Sequence, residues 1–172
     1  MDGDFKDLGA WNPSDFPLPK DNAVEGEPEN LEPFAVAIRE VKIVGAWERV
    51  ELDRGDAQHF VVLEDKDGRQ VCIFVGMNEA YAVSQSLEGE KRERPMTYDL
   101  LNQIITRLGA TVDQVVIDDI WQDTFYAKLW LSIGVNSMDI DCRPSDAINV
   151  AIRAKAPIYM AEHVIEACAK VN

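Results

Sequence analysis

Apolar residues in this chain follow two periods, alternation and a helical repeat, and the switches between them mark the elements. From residue 34 the pattern is mostly that of strands. "FAVAIREVKIVGAW" reads as one long strand. "HFVVLED" and "QVCIFVG" flank "KDGR", and an Asp-Gly pair between two apolar runs predicts a hairpin. Both runs are apolar at nearly every position, which predicts central strands covered on both faces. "MNEAYAVSQSLEG" is a short helix stopped by Gly89. "TYDLLNQIITRLG" is a clear helix, with Thr97 as its N-cap and Gly109 as its stop. In it Leu100, Leu101, Ile104, Ile105 and Leu108 form one apolar stripe. "VVIDDI" is a strand. "TFYAKLWLSI" alternates, with Phe125, Ala127, Leu129, Leu131 and Ile133 facing one way, and "SMDIDC" pairs back onto it through the turn "GVN". "PSDAINVAIRAKA" is a helix with Pro144 at its first position, where a missing N–H costs nothing. A short strand, "PIYMA", and a helix, "EHVIEACAKV", close the pattern.

This order predicts an α+β fold. Its sheet is mixed but mainly antiparallel, with the helices packed on it. Two stretches are also alike. "FVVLED…QVCIFVGMNEAYAV" and "FYAKLW…MDIDCRPSDAINV" both read strand, strand, corner, helix. Aligning their helices sets Glu79-Ala80 on Asp146-Ala147. The sheet is therefore read as a duplicated strand-strand-helix motif, with Glu79 and Asp146 in matching places.

Composition adds a boundary. Residues 1–33 hold 5 of the 8 prolines, nine acids and two bases, so they carry half of the formal net charge of -14. Such a segment buries too little surface to offset its ordering, and an acidic, mobile arm is expected there, with residues 34–172 as the folded domain. Phe5, Leu8, Trp11, Phe16 and Leu18 make the arm a candidate contact for a partner. The overall acidity argues against a protein that coats nucleic acid, since that affinity comes from cations displacing counterions. It leaves room for a local basic site. Cys72, Cys142 and Cys168 are widely spaced and form no CxxC pair, which fits a reducing, cytoplasmic setting. No signal peptide and no membrane span are expected, as no apolar run approaches the roughly 18 residues a span needs.

The chemistry gathers at "DIDCRPSDAINVA". Asp139 and Asp141 alternate with Met138, Ile140 and Cys142, so both acids share a face of the strand. Asp146 follows within one helical turn. Close carboxylates can hold Mg²⁺ or Mn²⁺, or activate water, and Asp141, Asp146 and Glu79 are the candidate ligands. The plainer reading is that Asp146 and Glu79 cap their helices. Arg143 fits that reading less well, because it occupies a cap position that favours Ser, Thr, Asp or Asn. An arginine there can hold a phosphate, or pair with an acid such as Asp141 or Glu79. "KRERPMTYDLL" adds a basic loop, Lys91, Arg92 and Arg94, ahead of a helix with Asp99 in its first turn, which is a candidate contact for nucleic acid. No GxGxxG, Walker loop, GxSxG or HExxH is present.

"GMNEA", "RPMTYDLL", "LGATVDQVVI", "TFYA" and above all "DCRPSDAI" resemble the bifunctional nuclease domain family, from about Val41 to Val171. The resemblance implies an α+β fold with a repeated strand–helix motif and a nuclease acting on DNA, RNA or both. It places Glu79, Arg94, Asp99, Asp141, Arg143, Ser145 and Asp146 at motif positions. One position departs: Tyr98 stands where the family pattern commonly has histidine. A tyrosine titrates near ~10, so it is no base at neutral pH. Two functions follow. In one, Asp141, Asp146, Glu79 and Asp99 work with Arg143 and Arg94 on a phosphodiester. In the other, the same residues form a structural ion-pair network in a non-catalytic, homodimeric interaction domain.

Overall fold

The computed structural model describes residues 37–50, 57–89 and 93–169. The acidic arm and the basic residues Lys91 and Arg92 lie outside these residues. Strands β1 (Ile38–Val50), β2 (Ala57–Asp65) and β3 (Gln70–Val75) are followed by helices α1 (Met77–Glu88) and α2 (Thr97–Arg107). Strands β4 (Ala110–Trp121), β5 (Thr124–Ile133) and β6 (Asn136–Cys142) then lead into α3 (Pro144–Ala154), β7 (Ile158–Ala161) and α4 (Glu162–Cys168). The fold is α+β. None of the described helices is long and apolar enough to cross a membrane.

One seven-stranded sheet runs β3-β2-β1-β7-β4-β5-β6. Each side is an antiparallel three-strand meander followed by a helix. The two meanders meet at β7, which is antiparallel to β1 and parallel to β4. The expected repeat is thus visible as β2-β3-α1 and β5-β6-α3. Between β2 and β3 the turn follows the Asp-Gly signal: Gly68 takes φ 79°, and Asp65 accepts from the N–H of Asp67 and Arg69, both at 2.9 Å. The β4–β5 turn has no glycine. Gln122 and Asp123 both take positive φ there, which the sequence does not signal.

The core lies between the sheet and the helices. Leu63, Ile117, Ile148, Met160 and Ile165 are fully buried, each contributing about 1.5–3 kcal/mol of burial. Alternation in β5 is as expected at its centre, where Ala127, Leu129 and Leu131 are buried. Three expectations need correction. β3 is an edge strand, and Phe74 is 62% exposed on its open side. Thr97 is the first residue of α2, and Met96 is its cap. The apolar stripe of α2 buries Ile105, while Leu100, Leu101, Ile104 and Leu108 stay exposed.

An ion-pair chain fixes the β2–β3 turn to α4. Buried Asp65 accepts from Arg69 Nε at 2.8 Å, Arg69 Nη1 donates to Glu162 at 2.8 Å, and Arg39 Nε donates to Glu162 at 2.6 Å. Burial works to raise the Asp65 carboxyl, but hydrogen bonds from Arg69 and Asp67 outweigh it and lower the carboxyl. Bonds from Arg69 and Arg39 lower Glu162. A lowered carboxyl stabilises the fold above its unfolded pKa, and that stability is lost as pH falls through the folded value. The urea midpoint is therefore expected to hold near neutral pH and to fall progressively below about pH 4.5. The fall should be smaller in Arg69→Met. An equal slope in both proteins would show that this network does not carry it.

Candidate active site

Helices α1, α2 and α3 each place an acid at their third residue: Glu79, Asp99 and Asp146. Only Asp99 bonds back to its own helix start, accepting from the Met96 N–H at 2.9 Å. Asp146 and Glu79 are turned to Arg143 instead. Arg143 is the cap of α3 and makes no side-chain cap bond. Its Nε and Nη2 donate to the two Asp146 oxygens at 2.7 and 3.0 Å, and Nη2 also donates to Glu79 Oε1 at 3.0 Å. The two halves of the repeat are thus joined by one guanidinium. In α1 the matching cap is Gly76. A Cβ there would stand 2.3 Å from Glu79 Oε2, so the missing side chain leaves room for the carboxylate.

A second arginine ties in α2. Arg153 Nε donates to Asp99 at 2.6 Å, its Nη1 donates to Asn149 Oδ1 at 3.1 Å, and its guanidinium lies 5.4 Å from the centre of the Tyr98 ring. Tyr98 donates its hydroxyl proton to Asp146 Oδ1 at 2.7 Å. Asn149 is wholly buried and its amide donates to the carbonyls of Glu79 and Ser145, at 3.1 and 2.9 Å. Tyr98, Asn149 and Arg153 are not among the site residues expected from the sequence. Asp146, Asn149 and Arg153 recur at helical spacing as a polar stripe in an otherwise apolar helix, and that was the available signal.

The electrostatics set protonation states. Partial burial works to raise the Asp146 carboxyl, but hydrogen bonds from Arg143 and Tyr98 outweigh it, and Asp146 sits below its usual range. Burial, then the bond to Asp146, pushes the Tyr98 phenol above its usual value. At neutral pH Asp146 is therefore a carboxylate and Tyr98 a proton donor. Arg143 is held even more firmly protonated, chiefly by its bond to Asp146.

Glu79, Arg94, Tyr98, Asp99, Arg143 and Asp146 line an open cleft of about 1100 Å³. The Arg143 side chain is 66% exposed, so its charge faces solvent despite its two partners. Ser145 is buried and contributes its carbonyl. Asp141 is not brought here. It lies across from Lys128, on the sheet face opposite the buried Ala127 and Leu129 that face the helices. On that side Asp139 pairs with Lys128 at 3.0 Å. The expected ligand set of Asp141, Asp146 and Glu79 is therefore split. Among the described residues no group of three or more His, Cys, Asp or Glu side chains is placed to hold a metal ion. Glu79 and Asp146 remain, and both already bind Arg143.

The bifunctional nuclease domain profile matches residues 61–172, from within β2 to the end of the chain, and so includes every residue of the cleft named above. The chain belongs to the bifunctional nuclease domain family. Relatives extend the match. An uncharacterized protein of Mycobacterium tuberculosis is 33% identical over 127 residues, covering 73% of each chain. Bifunctional nuclease 1 of Oryza sativa subsp. japonica is 31% identical over 107 residues, 59% of this chain and 32% of its own. Bifunctional nuclease 2 of Arabidopsis thaliana is 29% identical over 105 residues, again 59% and 32%. This bifunctional nuclease domain chain therefore aligns with about a third of each plant protein.

Proposed function

We propose that this chain is a nuclease that hydrolyses phosphodiester bonds of DNA, RNA or both in the α1–α2–α3 cleft. One observation carries the reading: Arg143 is exposed in an open cleft while it bridges Glu79 and Asp146. A substrate phosphate competes for that guanidinium. Its weaker link is the single bond to Glu79, whereas the bond to Asp146 is two-pronged. When the phosphate displaces Glu79 from Nη2, Glu79 is released to accept a proton from the attacking water. Water oxygen bonds to phosphorus, the bond to the leaving sugar oxygen breaks, and that oxygen takes a proton from solvent. Asp146 and Tyr98 keep Arg143 aimed, and Arg143 stabilises the charge that develops on the phosphate. Arg94, with Lys91 and Arg92 from the same loop, supplies local attraction for the nucleic-acid backbone.

Among the described residues the donor set does not form a prepared metal site. The test is cleavage of single-stranded DNA and RNA by the purified chain, run with Mg²⁺, with Mn²⁺ and in EDTA. Asp146→Ala should slow cleavage about a hundredfold and leave the circular dichroism spectrum unchanged. Equal cleavage in the variant would assign the activity to a contaminant or another site. Loss in EDTA with recovery in either ion would put a cation between Glu79 and Asp146, with Arg143 displaced.

The second reading is a non-catalytic homodimeric domain. It draws on the pairing of both acids with Arg143, and on the exposed Leu100, Ile104 and Leu108 of α2, which form a ridge that a second copy can cover. A dimer by light scattering, with no cleavage under any of these conditions, would favour it.

A further inference from the structure

The sheet has a face that α1 to α4 do not use. On that side of β1, β2 and β3, the strand register sets Trp47, Phe60 and Phe74 directly across from one another. The three rings form one row. Trp47 and Phe60 have centroids 6.1 Å apart with planes only 24° from parallel. Phe60 and Phe74 are also 6.1 Å apart, with planes at 62°. Trp47 is 43% exposed and Phe74 is 62% exposed. Large rings left open to water in this way forgo burial worth more than about 1 kcal/mol each, so the row calls for an explanation.

Gly45 shows how the indole is held. It lies two residues before Trp47, on the same face, beside the bulge in β1. A Cβ on Gly45 would stand 2.8 Å from Trp47 Cη2 and 3.0 Å from Cζ2. The indole therefore lies along the strand, in the space a side chain at 45 would fill, instead of standing off the sheet. The indole is thus held over the strand with Trp47 still 43% exposed, and large exposed rings set side by side offer a surface on which a base can stack.

The surroundings separate this patch from the rest of an acidic chain. Lys42 and Arg49 stand on the same face on either side of the row, by their pairing with Glu64 and Gln58. Glu64 accepts from Gln70 at 2.6 Å. The matching face of the other half carries Asp139 and Asp141 beside Lys128. Glu64 and Glu40 share this face with the two cations, so the patch is balanced in charge while the other half is mostly acidic. A phosphate backbone is therefore repelled less around the aromatic row than elsewhere on the sheet. The row also leads toward the cleft. β3 runs from Phe74 through Gly76 into the first turn of α1, which bears Glu79. A hollow of about 550 Å³, lined by His59, Phe74, Gly76 and Met77, lies along that route.

We propose that Trp47, Phe60 and Phe74 form a stacking platform for the unpaired bases of a DNA or RNA single strand, and that it guides the strand toward the cleft. The platform's purpose rests on the nuclease reading, but its binding can be measured without it. The probe is a fluorescein-labelled oligothymidylate, titrated with the full chain and followed by anisotropy. Trp47→Ala and Phe74→Ala are each expected to weaken binding about tenfold. Hydrolysis of bis(p-nitrophenyl) phosphate, too small to reach the row, should be unchanged in both. Phe74→Ala guards against misfolding, since that ring is on an edge strand and largely exposed. Unchanged oligonucleotide affinity in both variants overturns the platform, whatever the ester assay shows. Unchanged affinity together with a dimer lost on substitution overturns it as well, and gives the face to a second copy of the chain. If the wild type binds the oligonucleotide through these rings but cleaves neither it nor the ester, the platform stands and the nuclease reading fails.

Discussion

Arg143→Ala is expected to slow phosphodiester hydrolysis about a thousandfold, the upper range for losing one group that stabilises transition-state charge. The residue touches two acids of the cleft, so its loss removes the phosphate contact and the aim of Glu79 and Asp146 together. The fold should tolerate the change. The side chain is 66% exposed, and exposed ion pairs are worth about 0–1 kcal/mol. Asp146 keeps its bond from Tyr98. Arg143→Lys separates charge from geometry. A lysine carries the cation but cannot reproduce the two-pronged contact to Asp146, so its rate should fall between those of wild type and alanine. Cleavage rates on a labelled oligonucleotide, read beside urea midpoints, make the comparison. A large fall in midpoint with no specific change in rate per folded molecule would mark Arg143 as a structural tie.

The largest effect on stability is expected at Asn149. Asn149→Leu should lower the unfolding free energy by about 2 kcal/mol, within the range for breaking a buried polar network. The side chain is fully buried, and leucine keeps its branch point and heavy-atom count while removing both polar atoms, although its bulkier methyls add some overpacking. What is lost is the amide that joins the Glu79 carbonyl in α1 to the Ser145 carbonyl in α3, and the oxygen that receives Arg153. Arg153 is left with fewer acceptors in a site where its side chain is 11% exposed. Asp99 and Tyr98 rely on that arginine for their placement, so cleavage should weaken too, even in the fraction that stays folded. Thermal or urea unfolding measures the first effect. A midpoint equal to that of the wild type would show that α1 and α3 are held by apolar packing alone.

How much of this could be read from the residues depends on the range of the interaction. Local signals were clear. Asp67-Gly68 announced a hairpin, Pro144 opened a helix, and Ala127, Leu129 and Leu131 alternated into the core. Failures came where a distant segment decides the outcome. β3 is as apolar as a central strand because Phe74 and Cys72 line an open face, and no local pattern tells an open apolar face from a covered one. The alternation of Asp139 and Asp141 correctly put them on one face. Which face depends on the pairing of Met138 and Ile140 with Leu131 and Leu129, and that pairing turns the acids away from α3. Tyr98 departs from the family pattern, yet its partner Asp146 lies 48 residues away and only the fold brings it near. Arg143 stands out by its unsuitability as a cap, and the structure answers with two carboxylates from opposite halves.

Gly76 and Arg143 divide one task between the two halves. They occupy the same place in a doubled architecture, at the start of α1 and of α3. Two identical corners face to face would bring like charge against like charge. Here one corner contributes the cation and the other yields its space to an anion, with Glu79 filling the volume where a side chain at position 76 would begin. The doubling of the motif on a single chain is what permits this division of labour, since a strictly symmetric pair of subunits must change both corners at once. The halves are complementary and are not interchangeable.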